Sequence, residues 1–297
     1  MKVIVTGSLG NISKPLATQL MRGGHSVIVV SSNPERQKAI EAIGAKAAIG
    51  ELEDVEFLTS TFAGADAAYC MIPISFKEAD QIAYFRKIGN NYALAIDKAG
   101  IKQVVLLSGW VAGVISSYQE IEKIFDDLSD VSVTHIRPGY FYSNFLDSIK
   151  TIKERGLIAA TFGGEDRIVF SAPSDIADTI ANEITHRHHR TSGLVAMRRV
   201  RYVASDEMTC NEAAGILGAA IGKHDLKWIS VSAEQMQKNL ESAGLSPKLA
   251  SDIVEMQAPI HKGLMPLEFA RHGSEVATGK LRLVDFAGEF ASVYNRR

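Results

Sequence analysis

Val5-Thr6-Gly7-Ser8-Leu9-Gly10-Asn11-Ile12-Ser13 follows the short β-branched run Val3-Ile4-Val5 and leads into a helical pattern from Pro15 to Met21. Gly7 permits a tight turn, and Gly10 lets a backbone approach a pyrophosphate with no Cβ in the way. A helix opening at that point offers unpaired N–H groups and a partial positive charge to an anion. A glycine-rich turn also joins strands to helices for packing alone, so context must decide. Here the context is first strand, first turn, first helix. The third position of the usual dinucleotide fingerprint carries Ser13 instead of glycine, which predicts a slightly wider helix–strand contact and an intact phosphate loop.

Outward from that loop, apolar runs and helical patterns alternate. Further runs are Ser26–Val30, Ala47–Ile49, Ala67–Ile72, Val104–Leu107 and Val131–Ile136. They are continuously apolar, as strands buried on both faces are. Gly23-Gly24 stops the first helix, Asn33-Pro34 starts another, and Phe76–Ala99 reads as a long helix closed by Gly100. The rhythm predicts an α/β protein with a doubly wound parallel (Rossmann) sheet in residues 1–150. Residues 151–297 read as a smaller α+β carboxy-terminal domain, with a soft boundary and segments free to return to the first. Its expected elements are helices over Phe145–Arg155, Asp175–Thr185, Met208–Ile221, Glu234–Ala243 and Pro247–Gln257, and a strand at Val200–Val203.

Composition excludes several classes. Of 297 residues, 46% are hydrophobic and 22% charged, which is ordinary for a globular chain. Thirty-two Lys and Arg against 34 Asp and Glu leave a net charge of -2, with no basic excess for a nucleic acid as main partner. Two cysteines, Cys70 and Cys210, make no disulfide framework and fit a reducing compartment. No apolar run approaches the roughly 18 residues of a membrane span, and Met1–Val5 suits a first strand better than a signal peptide. A cytoplasmic protein is expected. His186-Arg187-His188-His189-Arg190 invites a metal reading, but i, i+2, i+3 spacing shares no helical face and no acid or cysteine is adjacent. It reads as a cationic helix end, and no metal is expected.

The end of the second strand bears on the ribose. A carboxylate about 20 residues past the loop would bind a 2′-hydroxyl and mark NAD. This chain has Ser31-Ser32-Asn33-Pro34-Glu35-Arg36 there. Without that acid, two hydroxyls, a helix start and the Arg36 guanidinium suit a 2′-phosphate, so NADP(H) is expected over NAD(H). A capped surface helix with incidental charge is the alternative.

The chain resembles the NmrA-like family of the atypical short-chain dehydrogenase/reductase superfamily, in its quinone-oxidoreductase-like branch. The resemblance rests on Thr6-Gly7-x-x-Gly10, Gly50-Glu51-Leu52-Glu53-Asp54, Gly64-Ala65-Asp66, Leu107-Ser108-Gly109, His135-Ile136-Arg137-Pro138-Gly139-Tyr140-Phe141-Tyr142-Ser143-Asn144-Phe145 and Asp175-Ile176-Ala177. It implies that Gly7, Ser8, Leu9, Gly10, Asn11 and Ile12 line a pyrophosphate, and that Ser31, Asn33 and Arg36 take the adenosine ribose. Glu51 and Leu52 would lie beside adenine, although the family more often has Asp at the first. Met71, Ile72, Pro73 and Ser108 would approach the nicotinamide, and Pro138, Gly139 and Tyr140 would wall it.

The superfamily's Tyr-x-x-x-Lys pair, in which a lysine lowers a phenol pKa, is absent. Tyr118 and Lys123 stand five apart, about 500° around a helix, and so point in different directions. Lys123 matches a Glu-Lys of quinone-reductase-like relatives, and Tyr140 and Tyr142 are the other phenols near the expected cleft. Tyr140 and Lys123 are thus weak catalytic candidates, and the phenols read more readily as lining residues. Two functions follow: an NAD(P)H-dependent reductase of a quinone or similar conjugated carbonyl, or a non-catalytic NADP(H) sensor. Sensors of this type tend to carry regulatory tails, and this chain has only Tyr294–Arg297 after its last expected helix.

Overall fold

The computed structural model describes residues 1–185, 196–273 and 276–296. Strand and helix alternate first: β1 (Lys2–Val5), α1 (Ser13–Arg22), β2 (Ser26–Ser31), α2 (Gln37–Ala42), β3 (Lys46–Ile49), α3 (Val55–Phe62), β4 (Ala67–Cys70), α4 (Gln81–Ala99), β5 (Gln103–Leu107), α5 (Ser116–Asp126) and β6 (Ser132–Pro138). There follow β7 (Tyr140–Phe141), α6 (Ile149–Arg155), β8 (Leu157–Ala160), β9 (Arg167–Ser171), α7 (Pro173–Thr185) and β10 (Arg198–Ala204). The chain closes with β11 (Asp206–Thr209), α8 (Cys210–Ala220), β12 (Lys227–Ser230), α9 (Ala233–Ser242), α10 (Pro247–His261), α11 (Leu264–His272), β13 (Val276–Thr278) and α12 (Leu283–Arg296).

Eight strands form one sheet in the order β13-β10-β6-β5-β4-β1-β2-β3. β1 pairs in parallel with β2 on one side and β4 on the other, so the winding reverses at β1. That reversal is the doubly wound pattern read from the sequence, and it opens a crevice at the carboxyl ends of the strands. The central strands β1, β4 and β5 are buried on both faces, as their unbroken apolar runs require: Val3, Ile4, Val5, Ala67 to Cys70 and Val104 to Leu106 have at most 1% exposure.

Contacts divide the chain into two compact units. One comprises Met1–Ser75, Ile82–Arg137 and Ile176–Arg201; the other comprises Phe76–Gln81, Pro138–Asp175 and Tyr202–Arg297. In the first, Phe62 stacks on Tyr92 and Tyr92 meets Phe125 edge-on. In the second, β9 pairs antiparallel with β11 and parallel with β7, and β12 runs parallel with β8. Its core is aromatic, with Phe145, Phe162, Phe170 and Trp228 packed together. Asp206 fixes the start of α12 by accepting from the Tyr142 hydroxyl at 2.5 Å and the Leu283 amide at 2.7 Å.

Several boundaries differ from the sequence reading. Phe76–Asp80 is not helical, and α4 begins at Gln81. The buried stripe Tyr84, Phe85, Ile88, Tyr92, Ala95, Ile96 starts only there, whereas Phe76 is 75% exposed and buries nothing. Phe145–Arg155 splits into a 3₁₀ segment, Tyr142–Ser148, and α6. Met208 lies in β11, because Thr209 and Glu212 form a capping box that starts α8 at Cys210. Tyr294–Arg296 belong to α12 instead of a tail. Among the described residues no helix is long and apolar enough to cross a membrane. His186–Arg190 lie outside the described residues.

Phe125 is fully buried between α5 and the sheet core. Phe125→Ala is expected to cost about 3–5 kcal/mol by denaturant unfolding. A loss under about 1 kcal/mol would contradict this packing.

Candidate functional site

The glycine loop lies at the carboxyl edge of β1. Gly7 has φ +87° and Ser8 has φ +56°, two left-handed residues in succession. The Ser8 amide bonds the Val30 carbonyl at 2.9 Å and the Gly10 amide bonds the Gly7 carbonyl at 3.1 Å, which closes the turn. Ser13 does more than widen a contact. It is 3% exposed, and its hydroxyl donates to the Thr6 carbonyl at 2.7 Å, tying α1 to β1. A Cβ on Gly7 would lie 2.7 Å from Ser13 Oγ and 2.9 Å from Met71 Cγ. Ser13, Met71 and the positive φ together require glycine at this position.

Gly10 and Asn11 are exposed, and a Cβ on Gly10 would meet only the Gly7 carbonyl oxygen, at 3.1 Å. No side chain caps the N-terminus of α1, where Ile12 takes the cap position. The Lys14 amide donates to the Gly10 carbonyl at 3.0 Å and Pro15 has no N–H, so this helix end offers an anion the amides before Lys14 and its partial positive charge. The residues present thus fit a pyrophosphate.

At the end of β2, Ser31 is 4% exposed and already committed. Its hydroxyl lies 2.9 Å from Ser8 Oγ and accepts from the Asn33 amide at 3.2 Å. The Asn33 carboxamide oxygen accepts from the Glu35 amide at 2.9 Å, capping the 3₁₀ turn Pro34–Arg36 that runs into α2. Ser32 and Arg36 stand exposed. After β3, Glu51 is exposed and Leu52 packs against the core, with the Leu52 carbonyl held by Asn91 at 3.0 Å. After β4, the Met71 amide bonds Thr6 Oγ1 at 2.9 Å and its carbonyl accepts from the Tyr92 hydroxyl at 3.0 Å. Ile72 is half-buried and Pro73 exposed. The expected residues on the loops after β1, β2, β3, β4 and β5 thus share one edge of the sheet.

At the end of β5 stands Ser108, 4% exposed, its amide bonded to the Ile136 carbonyl at 2.8 Å. Its hydroxyl donates to Glu122 Oε1 at 2.6 Å. Glu122 in turn takes Arg137 in a fork, with Nε at 2.9 Å from Oε1 and Nη2 at 2.5 Å from Oε2. The Tyr118 ring lies over Gly109, so close that a Cβ there would be 2.5 Å from it. Burial pushes the Tyr118 phenol up, away from the range of a working acid.

Residues 1–268 match the NmrA-like family. The chain belongs to that family. It is 21% identical over 261 residues to an NAD(P)H azoreductase from Xenophilus azovorans, covering 86% of both chains. An NADPH-dependent quinone oxidoreductase from Escherichia coli, solved with NADPH, superimposes with a TM-score of 0.78 at 20% identity, over 97% of this chain and 99% of the other. A triphenylmethane reductase from Citrobacter sp., solved with NADP(H), gives 0.78 at 17% identity, over 98% and 100%.

In this NmrA-like chain, Pro138, Gly139 and Tyr140 belong to the second unit. Gly139 is fixed by packing: a Cβ would come within 2.3 Å of the Val169 carbonyl oxygen, and its amide bonds Ser171 Oγ at 2.8 Å. Tyr140 meets Phe145, Phe162, Phe170 and Trp228 at centroid distances of 5.7–6.1 Å. Burial first, then the nearby Asp147, raises its phenol strongly. Burial and the hydrogen bond to Asp206 do the same for Tyr142. Lys123 is exposed while Tyr118 is half-buried, so the two point apart as the five-residue spacing requires. The sequence reading passed over Glu122 and gave Arg137 no role beyond its place in the His135–Phe145 segment. The usable signal was position: Glu122 lies four residues after Tyr118, where the superfamily's lysine would stand, and it points inward.

Gly10 and Gly7 separate binding from folding. Gly10→Val is expected to melt within a few degrees of wild type yet bind NADPH at least about tenfold more weakly in titration calorimetry. Gly7→Ala, strained by its positive φ and its clash with Ser13, is expected to lose thermal stability as well. Undiminished affinity in folded Gly10→Val would remove the loop from the site.

Proposed function

We propose that the protein is an NAD(P)H-dependent oxidoreductase that passes a hydride to a quinone or a similar conjugated acceptor, with NADP(H) preferred over NAD(H). The observation that carries this reading is the uncapped start of α1 beside the exposed Gly10. It lies where the winding reverses, in a family whose relatives above are named for reducing azo compounds, quinones and triphenylmethanes. When bound, the dinucleotide supplies the hydride.

The chain's own residues divide the remaining work. Gly7, Ser8, Leu9, Gly10, Asn11 and Ile12 line the pyrophosphate; the Ser8 and Gly10 amides close the turn, which leaves the helix end and the remaining loop backbone to face the anion. Ser31 and Asn33 shape the ribose site through the turn they brace, and Ser32 and Arg36 face the 2′-phosphate. Glu51 and Leu52 flank adenine, and Met71, Ile72, Pro73 and Ser108 flank the nicotinamide. The phenols of Tyr118, Tyr140 and Tyr142 all have raised pKa values, so none is tuned to give up a proton at neutral pH. A quinone oxygen can take its proton from water, which is why a conjugated acceptor fits this site better than a simple ketone. Cys70 and Cys210, both buried free thiols, suit the cytoplasm.

NADPH oxidation with a panel of small quinones and azo compounds tests the reading. Acceptor-dependent oxidation is expected. Tight NADPH binding with no oxidation by any acceptor would favour the dinucleotide sensor. Tyr118→Phe is expected to keep most of the turnover, and a hundredfold loss with cofactor affinity intact would make that phenol the acid.

Cofactor choice gives a separate measurement. A guanidinium contact to the 2′-phosphate contributes roughly 1.5–3 kcal/mol, or about one to two decades. NADPH is therefore expected to bind more tightly than NADH at low salt, with a preference that shrinks in Arg36→Ala. Equal affinities in wild type would refute the preference. An undiminished preference in the variant would move the role to Ser32.

A further inference from the structure

Ser108, Glu122 and Arg137 form a chain of contacts whose direction is fixed by chemistry. A carboxylate only accepts, so the 2.6 Å contact commits the Ser108 proton to Glu122 Oε1. The Arg137 fork engages both carboxylate oxygens, which holds Glu122 in that rotamer. Glu122 is 8% exposed and Ser108 4%, so water does not readily replace either partner. Backbone geometry pins the serine too, through its amide on Ile136 of β6. What remains on Ser108 Oγ is acceptor capacity alone.

We propose that Glu122 and Arg137 are positioning residues that lock Ser108 as a hydrogen-bond acceptor for the carboxamide N–H of the nicotinamide, and thereby bar it from donating to a substrate oxygen. This inference rests on the dinucleotide reading above. β5 ends next to β4, where Cys70 pairs with Leu106, and Met71 is tied to Thr6 beside the glycine loop. Ser108 therefore shares the crevice edge with the loop assigned to the pyrophosphate. The carboxamide is the group on the nicotinamide ring that carries N–H donors. An acceptor locked against it fixes which face and edge of the ring are presented. Tyr118, four residues before Glu122, gains no cation from this helix face, consistent with a corner that orients and does not protonate.

The test uses two reduced cofactors, NADPH and its 3-acetylpyridine analogue, in which a methyl ketone replaces the carboxamide and no N–H remains. Dissociation constants are measured for wild type, Ser108→Ala, Glu122→Gln and the neutral pair Glu122→Gln/Arg137→Gln, which leaves no lone buried charge if a single variant folds poorly. Wild type is expected to prefer NADPH over the analogue by about fivefold, the size of one ordinary hydrogen bond. That preference is expected to disappear in Ser108→Ala and to shrink in both Glu122 variants. Adding Glu122→Gln to Ser108→Ala is expected to change it no further.

A purely structural role would weaken both cofactors equally and leave their ratio unchanged, which would overturn the inference. So would a Glu122 effect on the ratio that persists at full size without the Ser108 hydroxyl. If wild type binds neither cofactor, the dinucleotide reading falls and takes this inference with it. If wild type binds and oxidises NADPH but the ratio never moves, only the inference falls.

Discussion

The hydroxyl of Ser13 donating to the Thr6 carbonyl is one buried hydrogen bond, and much of the carboxyl edge of the sheet is arranged around it. It brings α1 against β1, which leaves no room for a Cβ on Gly7. Gly7 can then take its left-handed turn and carry Ser8 with it. Thr6 uses its other groups as well: its amide bonds the Tyr69 carbonyl and its Oγ1 accepts from the Met71 amide, so the same residue ties β1 to the end of β4. Met71 passes the constraint to Tyr92 on α4. Each such bond contributes about 1 kcal/mol net, but leaving one buried partner unsatisfied costs about 1–3 kcal/mol. The loop is rigid because its members share partners, not because any single contact is strong.

The first half of the fold was legible because its signals are local. Continuous apolar runs, glycine stops and the Asn33-Pro34 start each act within a few residues, and the strands and helices appear close to where those signals stand. The residues after 140 were harder to read for a physical reason. β8, β9 and β12 are four or five residues long, and their pairing joins distant segments, Leu157 with Lys227 and Arg167 with Thr209. β1, β3 and β4 are as short, so length is not the difference; here strand preference reflects packing against neighbours that the linear sequence does not identify. Phe76 misled in the opposite direction: it looked like the first apolar residue of α4, yet it lies outside the buried stripe.

The candidate site divides along the same line. The glycine loop could be placed from six consecutive residues, because backbone geometry there follows from residue type. The side chains of Ser31 and Asn33 could not be assigned their work in the same way. Both types suit a ribose, and both also suit bracing a turn, and in the structure they are engaged in the turn. Hydroxyl and amide groups near a phosphate site are ambiguous until their nearest polar partner is known. Arg36 is exposed, and among the described residues no turn contact of its side chain competes with a ligand as the contacts of Ser31 and Asn33 do.

Counting from Tyr118 shows how spacing conveys chemistry even when a motif is broken. Lys123, one residue too far, is exposed; Glu122, at the motif's own distance, is buried. A lysine at that inward position would hold a phenol near ionisation. A glutamate there instead needs a cation of its own, which Arg137 supplies from β6, and takes a further donor in Ser108 from β5. The carboxylate thus takes up the Ser108 hydroxyl proton, while burial raises the Tyr118 phenol. Glutamate at that single helical position thus gives Tyr118 no cation and engages the Ser108 hydroxyl instead.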